Sequence, residues 1–93
     1  MTVRWTRRAE NDLFDQCGHI AKSDPPLAIR LGGDILSLVE GLRDFPLRGR
    51  PGRVEGTREL VLSGLPWIVV YAVVDGRVVI LRLLHGAQAY PPP

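Results

Sequence analysis

At 93 residues the chain has room for one domain with one core, and a chain this short buries only about 60–65% of its unfolded surface, so a partner covering apolar area would matter to its stability. Its apolar content of 45% is that of an ordinary globular protein, with no run near the ~20 apolar residues of a membrane span, no secretory leader in Met1-Thr2-Val3-Arg4-Trp5, and a single cysteine, Cys17, which excludes a disulfide framework and a multi-cysteine zinc site; a cytoplasmic location is expected. The net charge of +2 is a weak pointer to a polyanionic partner, but eleven of the twelve cations are arginine, whose planar fork suits phosphate and carboxylate; a GC-rich coding sequence explains the same bias.

Val3 to Trp5 reads as a short strand, and Thr6 as the N-cap of a helix over residues 7–21. Ala9, Leu13, Cys17, Ile20 and Ala21 recur at helical spacing, Phe14 widens the stripe, and Glu10, Asp12 and Asp15 are expected on the outer face. Ser23-Asp24-Pro25-Pro26 punctuates the chain: Asp24 caps a second helix and Pro25 fits its first position, where no amide donor is needed. Leu27, Leu31, Ile35, Leu38 and Leu42 then share one face, and Phe45-Pro46 ends the helical run. Gly32, Gly33 and Gly41 weaken that helix by about 1 kcal/mol each relative to alanine, or permit close approach of the first helix. The tight Pro-rich turn predicts an antiparallel helical hairpin.

Residues 46–56 carry three glycines and two prolines and read as a loop. Strands are predicted over Thr57–Leu62, Trp67–Val74 and Arg77–Leu84, the last two joined by Asp75-Gly76, a strong hairpin signal. The fold class is therefore α+β in the order β-α-α-β-β-β: a helical hairpin packed on one face of a small antiparallel-dominated sheet.

Two groups could carry function. Arg43, Arg48, Arg50, Arg53 and Arg58 crowd the loop region, where guanidinium forks meet phosphates well; alternatively they are solvated or pair with Asp44, Glu55 and Glu59. Arg82, His85, Gln88 and Tyr90 gather at the end of the chain, where His and Tyr could exchange protons and Arg could stabilise phosphate charge; alternatively Arg82 pairs with Glu59 across the sheet, and Tyr90 caps the core. His19 and His85 have no metal-ligand spacing, no Gly-rich loop follows a strand to cradle a nucleotide, and Cys17 lies on the apolar helix face, so neither metal nor cofactor is expected.

The segment Gly49-Arg50-Pro51-Gly52-Arg53-Val54-Glu55-Gly56-Thr57-Arg58-Glu59-Leu60-Val61, then Pro66-Trp67-Ile68-Val69-Val70-Tyr71, resembles the RelE/ParE superfamily of toxins from type II toxin–antitoxin systems. So do the closing Val79-Ile80-Leu81-Arg82-Leu83-Leu84-His85-Gly86-Ala87-Gln88 and the opening Val3-Arg4-Trp5-Thr6-Arg7-Arg8-Ala9-Glu10-Asn11-Asp12-Leu13. The resemblance spans nearly the whole chain and implies a RelE/ParE-like domain over residues 1–93. It implies a toxin held in a hetero-oligomer by a cognate antitoxin, whose disordered tail folds onto the helices and the sheet, with Leu13, Phe14, Ile20, Leu31 and Ile35 as the antitoxin surface.

Two activities are implied, and His85, Gln88 and Tyr90 keep the nuclease open beside the gyrase inhibitor. RelE-like members cleave mRNA on the ribosome; Arg82, His85 and Tyr90 would then be catalytic. Many carry an arginine in the strand equivalent to Trp67–Tyr71, where this chain has Ile68 or Val69. ParE-like members inhibit DNA gyrase without the nuclease set, and their closing strand commonly ends in a His-Gly pair like His85-Gly86. The reading leans to ParE-like, non-enzymatic inhibition, with Arg48, Arg50, Arg53, Arg58, Arg82, His85 and Gln88 as the target face. The third reading is an inactive relative that only binds its antitoxin.

Overall fold

The computed structural model describes residues 1–86 and 88–93. It contains, in chain order, β1 (Thr2–Trp5), α1 (Arg7–Ala21), α2 (Pro25–Glu40), a 3₁₀ turn (Gly41–Arg43), β2 (Arg50–Pro51), β3 (Arg58–Val61), β4 (Trp67–Val74) and β5 (Arg77–His85). The sheet order is β1-β5-β4-β3-β2. β1 lies parallel to β5 and the other pairs are antiparallel. The α+β class and the helical hairpin are as the sequence predicts.

Both helix starts follow their caps. The Thr6 hydroxyl accepts from the Ala9 N–H (3.1 Å) and donates to the Ile80 carbonyl (2.8 Å), so the capping residue also ties α1 to β5. Asp24 accepts from the Leu27 N–H (3.1 Å), and Pro25 takes the first helical position. Ile35, Val39 and Leu42 from the second helix and its 3₁₀ extension meet Ala9 of α1 and the inner residues of β4 and β5: Val69, Tyr71, Val78, Ile80 and Leu83. Leu13, Ile20, Leu31 and Leu38 pack half-buried at the margin of this core. Gly32 permits close approach of α1, since a Cβ there would sit 3.4 Å from Cys17 Sγ, whereas a Cβ at Gly33 would meet nothing within 4 Å. Asp75 and Gly76 both take positive φ (50° and 72°), as the tight β4–β5 hairpin requires.

Three expectations need correction. β2 was hidden in a loop-like composition: two residues pair with β3 (Arg50 opposite Glu59, Pro51 opposite Arg58), and an edge position lets Pro51 do without an amide donor. Thr57 is not in a strand; its N–H and hydroxyl both donate to the Val54 carbonyl (3.2 and 2.6 Å), which closes the 52–57 loop instead. Asp12 does not face solvent; it is buried. No described helix is long and apolar enough to cross a membrane.

Candidate functional site

Arg82 owes its position to an irregularity in β5. Val70 pairs with Arg82 but Tyr71 pairs with Ile80, so Leu81 is an extra residue in the ladder. Beyond the last β1 partner, Ile80, the outer edge of β5 meets α1 rather than another strand. There the Asp12 carboxylate accepts from Arg82 Nε (2.8 Å), from Arg82 Nη2 (3.4 Å) and from the Leu83 backbone N–H (3.0 Å). The two side chains are only 12% and 10% exposed, while Arg8 approaches the same carboxylate from solvent at 3.5 Å. Arg82 therefore pairs with Asp12 and not with Glu59.

Glu59 is a second buried carboxylate, with its side chain 1% exposed on β3. Its oxygens accept from the Arg53 backbone N–H (2.8 Å), from Arg53 Nε (3.1 and 3.2 Å) and from Arg50 Nη2 (3.4 Å). Burial pushes its pKa up, but the Arg53 backbone and guanidinium, with Arg50, outweigh that and hold it below the ordinary glutamate value.

Tyr90 joins the two clasps. Its ring centroid lies 5.9 Å from the guanidinium carbon of Arg53 and 5.9 Å from that of Arg82, within cation–π range. Arg53 Nη1 also donates to the Tyr90 carbonyl (3.2 Å). The tail is thus laid against one arginine fixed by α1 and another fixed by β3.

The structure brings Arg53, Arg82 and Tyr90 together. Both arginines already serve carboxylates, Arg53 from a side chain 41% exposed and Arg82 from one 12% exposed. His85 is exposed at the end of β5; its N–H donates to Gln88 Oε1 (3.3 Å) and its carbonyl accepts from the Gln88 N–H (2.9 Å). Ala87 lies outside the described residues. Of the remaining loop cations, Arg58 donates to the Gly49 carbonyl (2.8 Å), Arg43 bridges Glu40 and the Met1 carbonyl, and Arg48 is exposed. Neither Asp44 nor Glu55 pairs with any of them among the described residues. No group of histidine, cysteine and carboxylate side chains that could hold a metal ion occurs among the described residues.

The outer face of the helical hairpin is a separate feature. Phe14 (77% exposed), Ile29 (78%) and Leu36 (48%) stand out from it, and with Cys17, Gly32 and Gly33 they line a shallow, largely apolar groove between α1 and α2. Burial pushes the Cys17 thiol pKa up from its ordinary value. Of the five residues expected to meet an antitoxin, Phe14 lies in this groove, and Leu13, Ile20 and Leu31 are half-buried against the core. Ile35 has 0% exposure and offers no atom to a partner, because the inward stripe of α2 is committed to the sheet. Ile29 and Leu36, which the sequence reading did not single out, line the groove as well; their signal is two apolar residues seven apart, off the main stripe of that helix.

A family model described as the ParE toxin of the type II toxin–antitoxin system, parDE, matches residues 3–90. The chain is 40% identical over 89 residues to "Putative toxin Y4kP" of Sinorhizobium fredii, covering 96% of this chain and 92% of that one. It is 35% identical over 86 residues to toxin RelE2 of Caulobacter vibrioides, covering 92% and 96%. Among solved structures, a chain of the chromosomal ParDE toxin–antitoxin system from P. aeruginosa superposes with a TM-score of 0.85 at 31% identity, over 91% of this chain and 95% of that one. A chain of the RelBE2 toxin–antitoxin complex from Mycobacterium tuberculosis gives 0.65 at 29% identity, over 90% and 95%.

Proposed function

The chain belongs to the ParE toxin family of type II toxin–antitoxin systems, and from that membership we propose that it arrests growth in the cytoplasm by binding DNA gyrase without catalysing a reaction, and that a cognate antitoxin neutralises it. One observation carries the non-catalytic reading. Arg82, the residue a nuclease would aim at a scissile phosphate, is clamped by Asp12 at 2.8 Å and covered by Tyr90. An electrostatic catalyst needs donors directed at the position where charge develops, and Arg82 Nε and Nη2 are directed at Asp12 instead.

The target face is then built from residues that remain exposed, Arg48, Arg50, Arg53, His85 and Gln88. Arg58 and Arg82 act behind it, fixing the loop and the tail. The antitoxin takes the α1–α2 groove, where an amphipathic helix would cover Phe14, Ile29 and Leu36; each such side chain contributes about 1–2 kcal/mol when its exposed part is buried.

The test is pulse labelling of DNA and protein synthesis in the minutes after induction without antitoxin, together with supercoiling by purified gyrase. DNA synthesis failing first, with supercoiling inhibited, supports the reading. Protein synthesis failing first makes the chain a RelE-like ribosome-dependent nuclease. Soluble protein with no effect on either makes it a binding module only.

A further inference from the structure

The loop between the 3₁₀ turn and β2 joins a fixed backbone to exposed apolar side chains. Tyr71 is 0% exposed, yet its hydroxyl reaches out of the core, donating to the Pro46 carbonyl (2.7 Å) and accepting from the Gly49 N–H (2.8 Å). Arg58 holds the Gly49 carbonyl, and the Arg48 N–H closes a turn onto the Phe45 carbonyl (3.2 Å). Glycine is required at 49, where a Cβ would lie 2.7 Å from the Tyr71 hydroxyl. The loop is therefore pinned to the core at Pro46 and Gly49, while Phe45 and Leu47, on either side of Pro46, stay 65% and 64% exposed.

An apolar pair left in water contributes little to folding, and a loop already ordered gives up little entropy on binding. We propose that Phe45 and Leu47 are preformed anchors for the toxin's protein target, fitting an apolar recess on that target rimmed by carboxylates; this rests on the non-catalytic reading above. Charge argues for that rim. Arg48 lines a depression together with Phe45 and Leu47, and its side chain has no hydrogen bond or ion pair among the described residues. Arg58 borders a second depression that also includes Leu47, and Asp44 is the one carboxylate lining either. Neither depression shares a lining residue with the α1–α2 groove, so an antitoxin helix filling the groove leaves the loop open.

The experiment compares wild type with Phe45→Ser/Leu47→Ser and with Arg48→Glu, reading affinity for purified DNA gyrase, affinity for the cognate antitoxin, melting temperature and growth arrest. The double variant should lose about a hundredfold in gyrase affinity and Arg48→Glu about tenfold. Antitoxin affinity and melting temperature should be unchanged and growth arrest abolished. Unchanged gyrase affinity in the double variant overturns the proposal. So does a matching loss of antitoxin affinity, which would make the antitoxin the occupant of the loop. If wild type does not bind gyrase, that target is wrong and growth decides the loop: arrest lost with antitoxin binding intact supports it as a target anchor, and arrest retained overturns it. A wild-type protein that arrests nothing overturns both readings.

Discussion

Replacing Asp12 by alanine tests whether the Arg82 clasp is architectural. The substitution deletes the acceptor of two guanidinium contacts and of the Leu83 N–H, and leaves Arg82 beneath Tyr90 without a counter-charge. Breaking a buried ion pair from one side costs about 3–5 kcal/mol. With side chains 12% and 10% exposed, the lower end applies, about 3 kcal/mol. A domain of this length has about 5–14 kcal/mol in total, so Asp12→Ala should fold but lose about 12–24 °C in melting temperature. Asp12→Leu/Arg82→Leu removes both charges and leaves only the Leu83 N–H without an acceptor, at about 1–2 kcal/mol. The double variant should therefore be more stable than the single one. Urea unfolding followed by circular dichroism measures both. A loss under about 1 kcal/mol for Asp12→Ala, or a double variant no better than the single, would refute the buried-pair account and return Arg82 to the list of residues available for chemistry.

Other outcomes follow from the same structure. Because the folded pKa of Glu59 is lowered, the unfolded chain binds a proton there more readily; its stabilising contribution is full above the ordinary glutamate value and is lost as pH falls through the folded value. Urea midpoints of wild type should therefore drop in that acid window, and the dependence should flatten in Glu59→Gln. Gly49→Ala should cost about 1–3 kcal/mol by overpacking against Tyr71, whereas Gly33→Ala, with open space at its Cβ, should gain about 0.5–1 kcal/mol; calorimetry separates the two signs. Phe14→Glu should leave the melting temperature within about 2 °C of wild type and weaken antitoxin binding at least tenfold by titration calorimetry, while unchanged affinity would move the antitoxin off the groove.

What the sequence revealed and what it hid divide along physical lines. Caps, turns and period are local, so Thr6, Asp24-Pro25 and Asp75-Gly76 marked the ends of α1, α2 and the β4–β5 hairpin directly. β2 was invisible because two residues carry no periodicity and its pairing depends on β3. Asp12 read as part of a solvated face because helical spacing alone does not show that β1 stops at Ile80's level and leaves β5 an edge for α1 to close. Glu59 could be paired from sequence with several arginines; only the fold chose Arg50 and Arg53. For the partner surface, a stripe strong enough to define a helix is the face the fold consumes, as Ile35 shows. The weaker off-stripe residues, Ile29 and Leu36, are the ones left exposed.

The arginine bias can be re-examined in this light. A coding bias alone would scatter arginine over positions where lysine serves equally well. Arg82 and Arg53 instead each direct more than one guanidinium nitrogen at a buried carboxylate and present a planar face to Tyr90, which an ammonium point charge does not reproduce. Arg58 similarly braces loop carbonyls from a half-buried position. Arg4, Arg7, Arg30, Arg48 and Arg77 are exposed, and their side chains make no hydrogen bond or ion pair among the described residues. The bias thus has two components. One set holds a small sheet, its loop and its tail in register, and lysine there should destabilise the fold; the other stands exposed without a side-chain partner, and its replacement by lysine should leave the melting temperature unchanged.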